Sequence, residues 1–222
     1  MCGRFSLTVS EEIIQQYFPF EFPKKVLPRY NIAPGQEVLA VISDGEKITG
    51  KMLKWGLVPY WASDPKIGFK MINARTETVD EKASFKQAFK KRRCLVLADG
   101  FYEWKKEGNK KIPYRFTLKS ERPFAFAGLW ESWDKHGDPM YTCTIITTKA
   151  NELVKAIHER MPVILPKEWE EVWLDPALDD TEYLKSLLQP YPAEEMNMYE
   201  VSTVVNSAKN DVEECVKPVN SR

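Results

Sequence analysis

The second residue of the chain is a cysteine, in "MCGRF", and its position decides what it could do. A small second residue favours removal of the initiator methionine, which would leave Cys2 carrying an α-amine and a thiol on adjacent carbons. With model values of about 7.7–8.0 for the amine and about 8.5 for the thiol, both have reactive fractions near neutral pH. Two substrate classes suit such a nucleophile. Attack on an amide makes a hydrolase with an N-terminal cysteine. Attack on an aldehyde gives an imine, which the thiol then closes as a five-membered thiazolidine. The plain alternative is a frayed N-terminus whose small side chain merely suits methionine removal.

Three further stretches carry polar chemistry. In "INARTET", Asn73 could position an amine or an oxyanion and Arg75 could clamp a phosphate with two hydrogen bonds, or the stretch is a polar loop ahead of a helix. In "ADGFYEWKK", strand alternation puts Phe101, Glu103 and Lys105 on one face. A carboxyl on a partly buried face is raised toward general acid–base duty, whereas one on an outer face is simply solvated. In "AIHERMP", His158 with Arg160 beside it is either a proton donor or a histidine favoured at a helix C-terminus by the dipole. The second histidine, His136 in the turn "DKHGDP", reads as a surface residue.

The elements that must position these residues are short and strand-rich. "TVSEEIIQQYF" predicts an amphipathic helix capped by Thr8 or Ser10. "EVLAVISDGEKITGKMLKW" predicts a hairpin turning at Asp44-Gly45. An aromatic loop, "WGLVPYWASDPKIGF", leads to "MINARTET", and "DEKASFKQAFKKRR" predicts a helix with Phe85 and Phe89 on one side. Strands then dominate: "RCLVLAD", "FYEWKK", "PYRFTL", "FAFAGLWESW" and "MYTCTIITT". "ANELVKAIH" reads as a helix, "MPVIL" as a strand, "PKEWEEVWL" and "DTEYLKSLLQ" as acidic helices, and "MYEVSTVV" as a last strand before a polar tail that holds Cys215. Strands arranged as hairpins predict an α+β fold with a mainly antiparallel, strongly curved sheet. No repeat or linker divides the 222 residues, so a single domain is expected, with a core over about 2–210.

Composition excludes several classes. With 43% hydrophobic and 29% charged residues the chain is an ordinary globular sequence, and no apolar run approaches the roughly 20 residues of a transmembrane helix. The N-terminus lacks the basic-then-apolar layout of a secretory signal, so an intracellular, cytoplasmic location is expected. The four cysteines are far apart and histidines number two, which argues against a zinc site or a disulfide framework. Cys94 and Cys143 lie in apolar runs and read as inert buried thiols. The zero net charge is divided: residues 1–166 hold 27 Lys+Arg against 19 Asp+Glu, and the remainder 5 against 13. A basic body with an acidic end permits a polyanion partner on one face.

"MCGRF", "YNIAPGQ", "WGLVPYWA", "INARTET", "ADGFYEWKK", "IITTKAN" and "IHERMP", in this order, resemble the SRAP family (SOS-response-associated peptidase) from Cys2 to about Asn210. The resemblance implies that Cys2 becomes N-terminal and crosslinks to the ring-opened aldehyde of an abasic site in single-stranded DNA, shielding the lesion. It implies a site of Cys2, Asn73, Glu103 and His158, with Arg4, Arg75 and Arg160 toward DNA phosphates, Trp61 and its loop toward bases, and Thr147 near the pocket. It also implies a barrel-like sheet with flanking helices, and peptidase and lyase-like activities beside the crosslink; no metal or cofactor is expected, because imine chemistry needs only proton transfer. A peptidase or amidase, and a non-catalytic reader of modified bases, are the competing readings. The expected protein is a monomer without a replication-clamp motif, and nucleoid-associated if the source is bacterial.

Overall fold

The strand-forming runs build two sheets. In a computed structural model that describes residues 2–135 and 137–219, they are joined along the chain by short helices. In chain order the elements are β1 (Phe5–Leu7), α1 (Glu11–Tyr17), β2 (Arg29–Ile32), β3 (Glu37–Ser43), β4 (Ile48–Trp55), β5 (Asn73–Arg75), α2 (Lys86–Lys91), β6 (Arg93–Ala98) and β7 (Gly100–Glu107). Then follow β8 (Lys110–Leu118), β9 (Phe124–Trp133), β10 (Met140–Lys149), α3 (Glu152–Lys155), β11 (Arg160–Pro162), β12 (Ile164–Leu165), α4 (Glu170–Leu174), α5 (Thr181–Ser186) and β13 (Met196–Glu200). His136 lies outside the described residues.

One sheet runs β13-β8-β7-β1-β2, antiparallel throughout. In the other, β10-β4-β3-β6-β9 closes back on β10, so five strands form a barrel, with β11, β5 and β12 added outside the ring. Closure removes the exposed edges that such apolar strands would otherwise present. The expectation of a single α+β domain with a curled, mainly antiparallel sheet is met. The exception is β10, which pairs in parallel with both β4 and β5.

The body is sealed by aromatic packing where the two sheets face each other. Phe5 of β1 stands 5.2 Å from Trp55 and 5.5 Å from Phe126, and Phe101 of β7 stacks on Phe116 at 4.9 Å. Burying a Phe in this way is worth roughly 3–5 kcal/mol against truncation to Ala. Phe5 is three residues from Cys2, so this anchor fixes where the start of the chain enters the body.

Several expectations are corrected. The helix expected over "DEKASFKQAFKKRR" forms only from Lys86; the residues before it wind as turns, with Lys82 N–H donating to Thr78 O and Phe85 N–H to Lys82 O, and with Asp80 drawn to Lys185 at 2.9 Å. The helix expected over "ANELVKAIH" is a single turn at α3. The polar tail is not loose: Asp211 accepts the backbone N–H groups of Tyr30 and Asn31 at 2.6 and 3.1 Å, and Cys215 is fully buried beside Tyr102, Val201 and Val205. β1, β2 and β5 were not expected as strands.

Candidate functional site

Cys2 precedes β1, and β1 is pinned against β7 by the Phe5–Phe101 pairing and by Tyr102 N–H donating to Arg4 O at 3.0 Å. A second anchor is Asp99. Its carboxylate accepts from Ser6 Oγ at 2.7 Å, Thr8 Oγ1 at 2.7 Å and Val9 N–H at 3.1 Å, while Arg115 neutralises it at 2.9 Å. A buried carboxylate with this many donors holds the strand in one register. Far from fraying, Cys2 is 4% exposed.

Two sheets supply its neighbours. From β7 comes Glu103, 2% exposed, whose carboxyl accepts a hydrogen bond from the Cys2 thiol. From β5 comes Asn73, whose Nδ2 donates to Cys2 O at 3.2 Å and to Ile145 O at 3.4 Å. Its Oδ1 is buried and has no hydrogen-bond partner among the described residues. Burial pushes the Glu103 carboxyl up to about 7. Burial, then the charge and hydrogen bond of Glu103, push the Cys2 thiol well above its ordinary range; the charge of Arg160 opposes them. At neutral pH the thiol keeps its proton and the carboxyl is poised to take or give one.

β10 carries the next group. It pairs with β5 on one side (Ile145 opposite Asn73) and with β11 on the other (Lys149 opposite Arg160). His158, half-buried just ahead of β11, has its Nδ1 3.1 Å from the Arg160 N–H and 3.2 Å from the Arg160 carbonyl. The neutral ring accepts from the amide and the protonated ring donates to the carbonyl, so either state has a backbone partner. Burial lowers its pKa. The Arg160 guanidinium donates to both carboxylate oxygens of Glu77 at 2.7 and 3.0 Å, and to Thr147 O and Oγ1 at 2.8 and 3.1 Å.

The remaining expected site residues are spread more widely. Arg75 is exposed at the end of β5. Arg4 turns to the C-terminal segment, donating to Asn31 Oδ1 at 2.8 Å and Val205 O at 2.6 Å and lying over Trp104 at 5.4 Å. Trp61 is exposed together with Tyr60 and Phe69, on a loop whose base is a close crossing of Gly56 and Gly68. Gly56 has φ +132°, and a Cβ there would stand 2.6 Å from Gly68 O, so the loop requires glycine at this point. Sequence reasoning missed Asp99, Glu77 and Asn31. An acid ending the apolar run "RCLVLAD" was the available signal for Asp99. A cavity of about 300 Å³ walled by Leu7, Val26, Leu27, Ile32 and Val38 includes none of Cys2, Asn73, Glu103 and His158.

Fold and site together define a single-domain α+β protein in which a thiol at the start of the chain stands against a buried carboxyl, between two curled sheets. The chain belongs to the SRAP family: the family model for SOS response associated peptidase (SRAP) matches residues 1–208. It is 52% identical over 222 residues to abasic site processing protein YoqW of Bacillus subtilis (98% of this chain, 99% of the relative). It is 30% identical to abasic site processing protein YedK of Escherichia coli (99% of this chain, 100% of the relative). A crystal structure of a protein from Bacteroides thetaiotaomicron superposes with a TM-score of 0.88 at 30% identity, covering 99% of this chain and all of the other.

Proposed function

We propose that this protein processes abasic sites in single-stranded DNA by capturing the lesion's aldehyde on Cys2. The observation that carries the reading is the buried Cys2–Glu103 pair, a protonated thiol hydrogen-bonded to a carboxyl raised to about 7. The names of the relatives, abasic site processing proteins, point to the same substrate. The chemistry requires Cys2 to be the first residue of the mature chain. Hydrolysis of the Met1–Cys2 bond supplies it, and self-removal of Met1 would be the family's peptidase activity.

The steps follow from the groups present. His158, as imidazolium, gives its proton to the sugar ring oxygen as the C1′–O4′ bond breaks, and the C1′ hydroxyl passes its proton to the Glu103 carboxylate as the aldehyde appears. Its lowered pKa makes the protonated ring less abundant but a stronger acid. The neutral Cys2 amine adds to C1′. Glu103 carries an amine proton to the carbinol oxygen and then gives that oxygen its own proton, so that water leaves, the iminium forms and Glu103 is left as the carboxylate. Sγ then bonds to C1′, the thiol proton passes to the Glu103 carboxylate, and the C=N electron pair returns to nitrogen. Amine, thiol and aldehyde become a thiazolidine and one water. Asn73 Oδ1, a buried acceptor beside the Cys2 backbone without a partner among the described residues, receives the amine's N–H once Met1 is gone and aims its lone pair. An imine not closed by sulfur would permit strand cleavage, a lyase outcome that ring closure suppresses.

Of the cations expected to face phosphates, exposed Arg75 is the one whose guanidinium is presented to solvent, and the aromatic loop at Trp61 supplies stacking surface for bases. The test is incubation with a single-stranded oligonucleotide bearing one abasic site, followed by a denaturing gel. A heat-stable shifted band is expected. Turnover of peptides with no such band would establish the peptidase instead, and reversible DNA binding alone would establish a non-catalytic reader.

A further inference from the structure

Glu77 is bound to Arg160 through two hydrogen bonds, at 2.7 and 3.0 Å, the geometry in which a guanidinium also takes two oxygens of a phosphate. The two partners are anchored unequally. Arg160 is 13% exposed in its side chain and has further bonds to Thr147 O and Oγ1, independent of Glu77. The Glu77 side chain is 44% exposed, and its rotatable bonds let it swing into water. The hydrogen bond from Arg160 and the charges of Arg160 and Arg75 hold its carboxyl below the usual range, so it is an anion at neutral pH.

Resting on the strand-binding reading above, we propose that Glu77 is a resident stand-in for a DNA phosphate. It occupies the Arg160 guanidinium in the free protein and is displaced when a phosphate of the bound strand takes its place. Until then the pair keeps Arg160 oriented beside the Cys2 site while cancelling its charge toward other anions. The cost of displacement is small, because the phosphate takes over both hydrogen bonds that Glu77 gives up and the freed carboxylate, already 44% exposed, passes into water.

The experiment measures binding of an undamaged, labelled single-stranded oligonucleotide across salt concentrations, by fluorescence anisotropy, for wild type, Glu77→Gln, Arg160→Ala and the double variant. Glu77→Gln keeps the side chain's shape and removes the competing charge. It is expected to bind up to about fivefold tighter, with an unchanged log-log salt slope, since Arg160 neutralises one phosphate in both proteins. In the Arg160→Ala background that gain should vanish. Equal or weaker binding by Glu77→Gln overturns the displacement, and so does an equal gain without Arg160 or a steeper slope, which would mean that Arg160 meets a phosphate only when Glu77 is gone. These strand measurements decide the role of Glu77 by themselves. A parallel gel with the abasic oligonucleotide separates the two claims: an adduct from wild type with no gain in Glu77→Gln leaves aldehyde capture standing, whereas no adduct from wild type removes that reading.

Discussion

Cys2 and the pair Cys94 and Cys143 are buried to a similar degree, 4% against 0% exposed, in regions of opposite construction. Cys94 on β6 and Cys143 on β10 lie in the barrel strands, opposite Gly128 and Trp130 of β9. Burial alone pushes the Cys143 thiol up, and burial with the nearby Cys143 does the same to Cys94. Cys2 has a raised thiol too, but at the seam of the two sheets it faces a carboxyl, an amide and the charge of Arg160. The difference teaches that desolvation by itself only withholds the proton and leaves an inert hydrophobe. Desolvation of an acid beside a thiol brings the acid to neutral pH, while the thiol keeps its proton until bond formation at sulfur releases it to that acid.

The comparison breaks most visibly at the sulfur. In Cys2→Ala the amine can still form an imine, but nothing can close the ring. The heat-stable adduct is expected to fall by three orders of magnitude or so, the scale on which loss of a nucleophile acts. Borohydride should still trap some covalent DNA. Equal stable adduct from Cys2→Ala and wild type, without reductant, would rule out the thiol. Intact mass of active protein should also show the loss of one methionine.

The seam should carry a pH-dependent cost that the barrel does not. Glu103 has a folded pKa of about 7 against 4.5 unfolded, so the native state binds the extra proton. The sign follows: stability is fully present below about pH 4.5, declines as pH rises through the window up to 7, and stays lower above it. A shift of this size corresponds to roughly 3 kcal/mol. Glu103→Gln has no proton to lose, so it should match wild type near pH 4 and exceed it by up to about 3 kcal/mol at pH 8. Chemical denaturation at the two pH values measures this, and parallel stability profiles would show that Glu103 titrates normally.

The same substitution sharpens the chemistry. Glu103→Gln keeps the shape but cannot relay protons, so adduct formation or reversal should slow by about 10²-fold. Gel time courses with the abasic oligonucleotide read the rate directly. An unchanged rate would transfer the relay to another group.

How much of this was legible in the sequence follows from separation along the chain. Cys2, Asn73, Glu103 and His158 each sit in a short motif whose residue types state a chemistry. The long strands β3, β4 and β6 to β10, of 6–10 residues, announce themselves by β-branched, aromatic and alternating apolar residues. β1 and β5 are three residues each, too short for any period to show, and exist because β7 and β10 offer them a ladder. The partners that hold the site are equally hidden. Asp99 reaches back more than 90 residues to Ser6 and Thr8, and Asn31 reaches forward more than 170 to Val205 and Asn210. The resemblance turns Arg4 toward DNA phosphates, and what the sequence could not show is that its guanidinium also donates to Asn31 Oδ1 and, more than 200 residues on, to Val205 O.

The smallest effect is expected in the barrel, and it tests the other half of the comparison. Cys94 is packed so closely that a Cβ on Gly128 would stand 2.8 Å from its Sγ, which leaves no room for neighbours to collapse far when the sulfur is removed. Cys143 is equally enclosed, between Trp55 of β4 and Trp130 of β9 along the ladder. Cys94→Ala or Cys143→Ala therefore deletes one buried heavy atom and leaves a small void, at a cost of about 1–2 kcal/mol. Neither group has an acid partner like Glu103, so neither substitution should change the rate or yield of adduct once the protein is folded. Thermal melts give the first quantity and gel time courses the second. A variant that melts like wild type yet loses the adduct would place a reacting thiol inside the barrel, and the distinction between thiols buried for packing and a thiol buried for chemistry would fall.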